Sequence, residues 1–186
     1  TRPRATPLIL TAELANTPFA RPRQLVELSN GGTLDLTARV VRKRIEGREV
    51  LMLGFNGQIP GPLIVVRQAS TIFVNFTNET PFPTAVHWHG VRLENRYDGV
   101  PGITQDAVQP GDSFRYQIYF PDAGIYWYHP HLREDVQQEL GLAGNVLVEP
   151  VASDYYAPVN REAVLMLDDL LLDENSVVPF GEESAN

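Results

Sequence analysis

Cysteine is absent from the 186 residues of this chain. Without a thiol, the chain forms no disulfide, no thiolate metal site and no cysteine nucleophile. Long apolar runs are absent as well, so the sequence predicts no membrane span. The opening stretch "TRPRATPLIL" lacks the apolar core of a secretory signal, and any export signal is expected to have been removed.

Basic residues are outnumbered: 15 lysines and arginines stand against 23 aspartates and glutamates, for a net charge of −8. Proteins that bind DNA or RNA carry a basic surface, so this balance argues against a nucleic-acid partner. Hydrophobic residues make up 43% of the chain. That share is enough for the packed core of one domain of ordinary size with some additional chain.

Strand signals dominate the sequence. The stretch "TLDLTARVVRKRIEGREVLMLGFNG" predicts a hairpin that turns at Glu46-Gly47, and further strands are predicted at residues 63–66 and 70–75 and in "TAVHWHG", "GDSFRYQIYF", "AGIYWYHPH" and "LAGNVLVEP". One or two helical turns are expected in "REDVQQEL", where Arg133, Glu134 and Asp135 would form a solvated helix start. Short strands between turn signals favour an all-β sandwich or barrel closed by antiparallel pairing.

The composition changes after Pro150. We expect residues 1–20 to form an extended lead-in and residues 21–150 to form the domain. Residues 151–186 are expected to form a linker and the opening strand of an incomplete second domain, with that strand in "AVLMLDDLLLDEN". About 30 residues are too few to build a core of their own.

Histidine occurs four times, in two His-x-His pairs: His87 with His89, and His129 with His131. On a β-strand, residues i and i+2 project from the same face, so two such strands would converge on one site. Imidazole suits copper, zinc, iron and nickel, whereas magnesium and calcium prefer oxygen ligands. The pattern therefore predicts a transition-metal site, and its spacing alone leaves both copper and zinc open.

Three aromatic residues lie between the histidines: Trp88, Trp127 and Tyr128. Since they alternate with the expected ligands, we expect them to face away from the metal and to pack in the core.

Three segments closely resemble the first cupredoxin domain of multicopper oxidases, the laccase-like group that couples substrate oxidation to the reduction of dioxygen to water. They are "FNGQIPGPLIVV", "HWHGVRLENRYDGVPGITQDAVQPGDSFRYQIYF" and "AGIYWYHPHLREDVQQELGLAGNVLVEP", and the resemblance covers about residues 54 to 150. It implies an all-β, cupredoxin-like Greek-key β-sandwich or barrel. It also implies that His87 binds the type 2 copper and that His89, His129 and His131 bind the paired type 3 coppers, as half of a trinuclear site.

The same resemblance implies that four more histidines and the type 1 copper cysteine are supplied by other cupredoxin domains, in missing sequence or in a separate chain. The chain is therefore expected to be the N-terminal part of a secreted or periplasmic copper-dependent oxidase, inactive alone. Dioxygen and a small reducing substrate would be its partners. The alternative function is a stand-alone copper-binding or copper-carrying cupredoxin-like module without oxidase activity.

Asp98 lies nine residues after His89, where members of this family place an acidic residue near the trinuclear cluster. Reduction of dioxygen to water consumes four protons, so the resemblance predicts that Asp98 relays protons. The structural alternative is a turn residue, because Asp before Gly is a common turn signal.

Overall fold

The computed structural model describes residues 10, 12–172 and 176–178. Nine strands form two sheets in this part of the chain, with one short helix and two 3-10 turns at Leu14–Asn16 and Asn95–Tyr97. The strands are β1 (Leu25–Leu28), β2 (Thr33–Ile45), β3 (Arg48–Phe55), β4 (Leu63–Arg67), β5 (Thr71–Glu79), β6 (His87–His89), β7 (Ser113–Tyr119), β8 (Gly124–His129) and β9 (Gly144–Glu149), and helix α1 (Glu134–Gln137) precedes β9.

The two sheets contain five and four strands, in the orders β1-β4-β9-β8-β6 and β3-β2-β5-β7. The predicted hairpin at Glu46-Gly47 is confirmed as the antiparallel pair β2–β3. The expected antiparallel pairing holds for β2–β3, β5–β7, β6–β8 and β8–β9, whereas β1–β4, β2–β5 and β4–β9 are parallel pairs. Parallel neighbours arise because the chain crosses between sheets: β4 and β5 follow each other in sequence but belong to different sheets.

The core lies between the sheets and follows from the alternation along their strands. Ile72, Val74 and Phe76 of β5 are buried while the residues between them are partly exposed. Each side chain of this size contributes roughly 1.5–3 kcal/mol when it is fully buried. Leu34 and Leu36 of β2 show the same alternation and join the same core cluster. The predicted all-β sandwich is confirmed.

The segment after the domain packs on it without forming a regular strand. Residues 163–171 belong to no strand, and Leu172 pairs with Val177 only in an isolated bridge. The strand predicted in "AVLMLDDLLLDEN" is therefore wrong for the described residues, where no neighbouring strand pairs with it. Arg23 holds the segment through a 2.6 Å hydrogen bond to the carbonyl of Val164.

The lead-in also differs in part from the extended chain that was expected. Residues 14–16 form a 3-10 turn, and Phe19 makes an isolated parallel bridge with Arg42. Arg21, the first residue of the domain, makes a second such bridge with Gln58. Residues 1–9 and 11 of the lead-in, and residues 173–175 and 179–186 of the C-terminal segment, lie outside the described residues.

Candidate metal centre

Strands β6 and β8 bring three of the four histidines together. In their antiparallel register His87 lies opposite His129, and His89 lies opposite Trp127. The ring centroids of His87 and His129 are 5.4 Å apart, as are those of His89 and His129. The predicted convergence of the two pairs on one site is confirmed for these three residues.

His131 lies beyond the end of β8, so the second pair does not share one strand. Pro130 lies between the two histidines. Because proline has no N–H group, it cannot donate a hydrogen bond to a neighbouring strand. The ring of His131 nevertheless faces the cluster, with its centroid 4.6 Å from that of His87. All four imidazoles therefore line one site, three from paired strands and one from the turn that follows β8.

The ligand atoms of His87, His89 and His129 all lie within 4.8 Å of one another. In particular, Nδ1 of His89 lies 3.2 Å from Nε2 of His129. His129 is almost fully buried, with 2% of its surface exposed, whereas His89 is exposed. The cluster thus has one closed side, at β8, and one open side, at the edge strand β6.

Hydrogen bonds fix the proton position on three of the rings. Nδ1 of His87 lies 2.7 Å from the carbonyl oxygen of Asp98, and Nδ1 of His129 lies 2.9 Å from that of Pro130. Nδ1 of His131 lies 2.7 Å from Oε1 of Glu134. Since carbonyl and carboxylate oxygens only accept, each of these Nδ1 atoms carries a hydrogen, and in a neutral ring the lone pair is therefore on Nε2.

Burial keeps the two innermost rings neutral. It lowers the pKa of the His129 imidazole to about 4, despite the opposing hydrogen bond to the carbonyl of Pro130. Burial likewise lowers the pKa of His87, against the raising effect of the Asp98 carbonyl and carboxylate. The neighbouring imidazoles lower both pKa values further. Neutral imidazole is the metal-binding form, so this set of nitrogen donors fits a transition-metal ion at neutral pH.

Asp98 lies beside His87, on the side of the ring that carries Nδ1. It follows the 3-10 turn of residues 95–97, donates its N–H to the carbonyl of Asn95, and precedes Gly99. Its Oδ1 is 3.4 Å from Nδ1 of His87, and 31% of its side chain is exposed. Asp98 is therefore both a turn residue and a neighbour of the cluster.

Trp127 does not face away from the histidines, so that prediction is wrong. Its ring stacks on His129 with centroids 3.9 Å apart and planes 21° apart, and it lies 5.0 Å from the ring of His89. The physical reason is the period of two, which places residues 127 and 129 on the same face of β8. Trp88 and Tyr128 are fully buried in the core, as predicted.

Glu134 is a site residue that the sequence pattern did not indicate. It was expected at a solvated helix start, and 46% of its side chain is exposed, yet its carboxylate contacts His131. The signal available in the sequence was the short spacing of three residues between them, at the point where the chain passes from β8 into a helix.

The sequence profile of the multicopper oxidase family matches residues 37–153. Multicopper oxidase MmcO of Mycobacterium tuberculosis is 38% identical over 138 residues, which cover 74% of this chain and 26% of that protein. Copper resistance protein A of Pseudomonas syringae pv. tomato is 31% identical over 140 residues, covering 75% of this chain and 22% of that protein.

Solved structures agree with the sequence matches. The blue copper oxidase from Nitrosomonas europaea superimposes with a TM-score of 0.64 at 35% sequence identity, covering 70% of this chain and 41% of that one. In the sequence comparisons, the chain spans about a quarter of the length of the two relatives named above. Among the described residues, no helix is long and apolar enough to cross a membrane.

Proposed function

Because this chain belongs to the multicopper oxidase family, we propose that it is the N-terminal part of a copper-dependent oxidase. The enzyme would couple one-electron oxidation of a small reducing substrate to the four-electron reduction of dioxygen to water. The observation that carries this proposal is the imidazole cluster: His87, His89 and His129 bring their ligand atoms within 4.8 Å of one another, with His131 alongside.

The four histidines would hold copper as half of a trinuclear site. His87 is proposed as a ligand of the type 2 copper, and His89, His129 and His131 as ligands of the type 3 pair. The Nδ1 hydrogen bonds of His87, His129 and His131, which leave the lone pair of a neutral ring on Nε2, support this assignment. The 3.2 Å distance between Nδ1 of His89 and Nε2 of His129 also supports it. When bound, copper supplies the oxygen-binding and electron-transfer chemistry, which imidazole alone does not perform.

Asp98 is proposed to hold and pass protons. Reduction of one dioxygen to two waters consumes four electrons and four protons, and the electrons come from four one-electron oxidations of the reducing substrate. The Asp98 carboxylate is partly exposed and 3.4 Å from Nδ1 of His87, so it contacts both solvent and the cluster. A carboxyl group in that position can take up a proton from water and return it toward the site.

The remaining parts of the enzyme are proposed from the family and from the domain layout. Residues 21–150 form the first cupredoxin domain, after a lead-in of residues 1–20, and residues 151–186 lead into a second. Further cupredoxin domains would supply the other ligands and the type 1 copper, and the enzyme would be secreted or periplasmic. The relatives named copper resistance protein A and multicopper oxidase support a role in copper-dependent oxidation.

The proposed function is tested by replacing His129 in the complete enzyme. We expect His129→Ala to lower the copper content and to abolish dioxygen reduction, because a buried ligand is lost, while the blue absorption of the type 1 copper is retained. Metal analysis, oxygen consumption and the visible spectrum measure the three effects. Tyr119→Phe is the matched control, since Tyr119 is exposed on the other sheet.

Full copper loading and normal turnover in His129→Ala would overturn the ligand assignment. Equal losses in His129→Ala and Tyr119→Phe would show that the effect reflects folding of the domain rather than the metal site.

A further inference from the structure

We infer that Glu134 is a positioning residue: by accepting a hydrogen bond from Nδ1 of His131, its carboxylate orients that imidazole and presents Nε2 to the metal. This inference rests on the proposed copper site. Nδ1 of His131 lies 2.7 Å from Oε1 of Glu134, and both residues lie outside the β-sheet.

His131 needs such a partner because no strand holds it. β8 ends at His129, and Pro130 separates the two histidines. His87 and His129 direct Nδ1 at main-chain carbonyls, which the fold itself keeps in place. For His131 the acceptor is a side chain, so the orientation of this ring depends on one residue that can be replaced without altering the main chain.

The turn between the strand and the helix keeps Glu134 available for this contact. Arg133 adopts the left-handed conformation, with φ 49° and ψ 55°, and accepts at its carbonyl the N–H of Val136 at 2.9 Å. Its guanidinium donates two hydrogen bonds to the carboxylate of Asp135, each 2.9 Å long. Asp135 is thus ion-paired with Arg133. Glu134 is the acidic residue of this turn that contacts His131.

The far end of the helix is hydrogen-bonded to the segment that precedes β6. Nε2 of Gln137 donates a 3.0 Å hydrogen bond to the carbonyl of Pro83, four residues before His87. Helix α1 is thus attached to the segment that leads into β6. Glu134, on its first turn, reaches His131 from a supported position rather than from a free loop.

A carboxylate acceptor has two physical effects on a histidine ligand. It fixes the neutral tautomer with hydrogen on Nδ1, and it raises the basicity of Nε2. Loss of such a partner typically weakens metal binding by roughly 10- to 100-fold.

The tautomer is measured first, without metal, by 15N NMR of the histidine-labelled full-length protein above the ordinary histidine pKa. His131→Gln identifies the signals of His131. We expect the wild-type ring to carry its hydrogen on Nδ1, and Glu134→Ala to shift the population toward Nε2–H, the tautomer that free histidine favours. Glu134→Gln should retain the wild-type tautomer, because its amide oxygen also accepts a hydrogen bond.

Asp135→Asn is the matched control, since it removes an equal charge from the same turn while its side-chain oxygen can still accept a hydrogen bond from Arg133. It should leave the tautomer unchanged. The inference would be overturned by a wild-type His131 with hydrogen on Nε2, or by an unchanged tautomer in Glu134→Ala. The wild-type result tests the inference even if a variant fails to fold.

Copper affinity is measured second, by titration of the metal-depleted full-length protein. Glu134→Ala should bind copper at least about tenfold more weakly at the site, while Glu134→Gln remains near wild type. Equal losses in the two variants would overturn the role in copper binding. If the tautomer responds as expected but wild type binds no copper, the contact stands and the proposed function fails, so the two outcomes are distinguishable.

Discussion

At the scale of single residues, the site is defined by where each imidazole keeps its hydrogen. The carbonyls of Asp98 and Pro130 accept from Nδ1 of His87 and His129, so the Nε2 atoms are unprotonated in the neutral rings. Burial lowers the pKa values of both residues, and no positive charge has to be removed from them before a cation binds at neutral pH.

Asp98 contacts His87 with two different groups, which allows its two roles to be separated. Asp98→Asn keeps the main-chain carbonyl that accepts from Nδ1 of His87, and it keeps a side chain suited to the turn. It removes only the carboxylate. We expect normal copper content and normal type 1 reduction, but reoxidation of the fully reduced enzyme by dioxygen slowed at least about tenfold. Stopped-flow absorption measures the rate.

The control for Asp98 is Glu94→Gln in the same loop, where Glu94 is exposed and pairs with Arg96 at 2.8 Å. This variant should reoxidise at the wild-type rate. An unchanged rate in Asp98→Asn with normal metal content would leave Asp98 as a turn residue only.

At the scale of elements, the loop that carries Asp98 must approach strand β6 closely. Gly99 makes this approach possible: its φ is +79°, and a Cβ atom there would lie 1.9 Å from the carbonyl oxygen of Val86. Val86 directly precedes His87, so any displacement of this loop moves the main chain next to a ligand. The close packing of loop on strand therefore positions both Asp98 and His87.

Gly99→Ala should destabilise the protein far more than Gly102→Ala. Both glycines have φ +79°, so both substitutions meet the strain of the left-handed region, about 1 kcal/mol. Gly102 has open space around it, whereas Gly99 faces the main chain of β6, and the clash should bring its total cost to about 3 kcal/mol or more. Urea denaturation of the two variants measures the difference. Equal free energies of unfolding would contradict the close approach.

At the scale of the whole molecule, the cluster lies at one edge of the five-stranded sheet. β6 is the edge strand, and His89 on it is exposed, so the site has an open side. Among the described residues, imidazoles are the only nitrogen ligands brought together there, and the chain has no cysteine. The chain thus offers imidazole donors at this cluster but has no thiolate to form a blue type 1 site.

We expect residues 1–186, expressed alone and loaded with copper, to show no intense blue thiolate-to-copper absorption and no oxidase turnover with a phenolic dye. The physical reason is the missing cysteine, through which the family takes electrons from its substrate. Visible spectroscopy and an oxygen electrode measure both properties. Dioxygen consumption at enzyme-like rates would contradict the prediction. Stoichiometric copper binding without turnover in the complete protein would favour the alternative, a copper-binding module.

The sequence alone determined the fold class and three converging histidines, because alternation with period two is a local property of strands. It indicated the hairpin at Glu46-Gly47 and the burial of Trp88 and Tyr128 for the same reason. It also contains the motifs of the multicopper oxidase family, which indicate copper. The spacing of the histidines alone does not distinguish copper from zinc.

Only the tertiary structure decided which contacts surround the histidines, since these contacts join elements that are distant in sequence. Three strand pairs are parallel because the chain crosses between the sheets. His131 lies beyond β8 and depends on Glu134, a contact that exists only because Pro130 ends the strand and a helical turn starts at once. The Nδ1 hydrogen bond of His87 to Asp98 likewise requires a loop folded back on β6, which periodicity along a single strand does not encode.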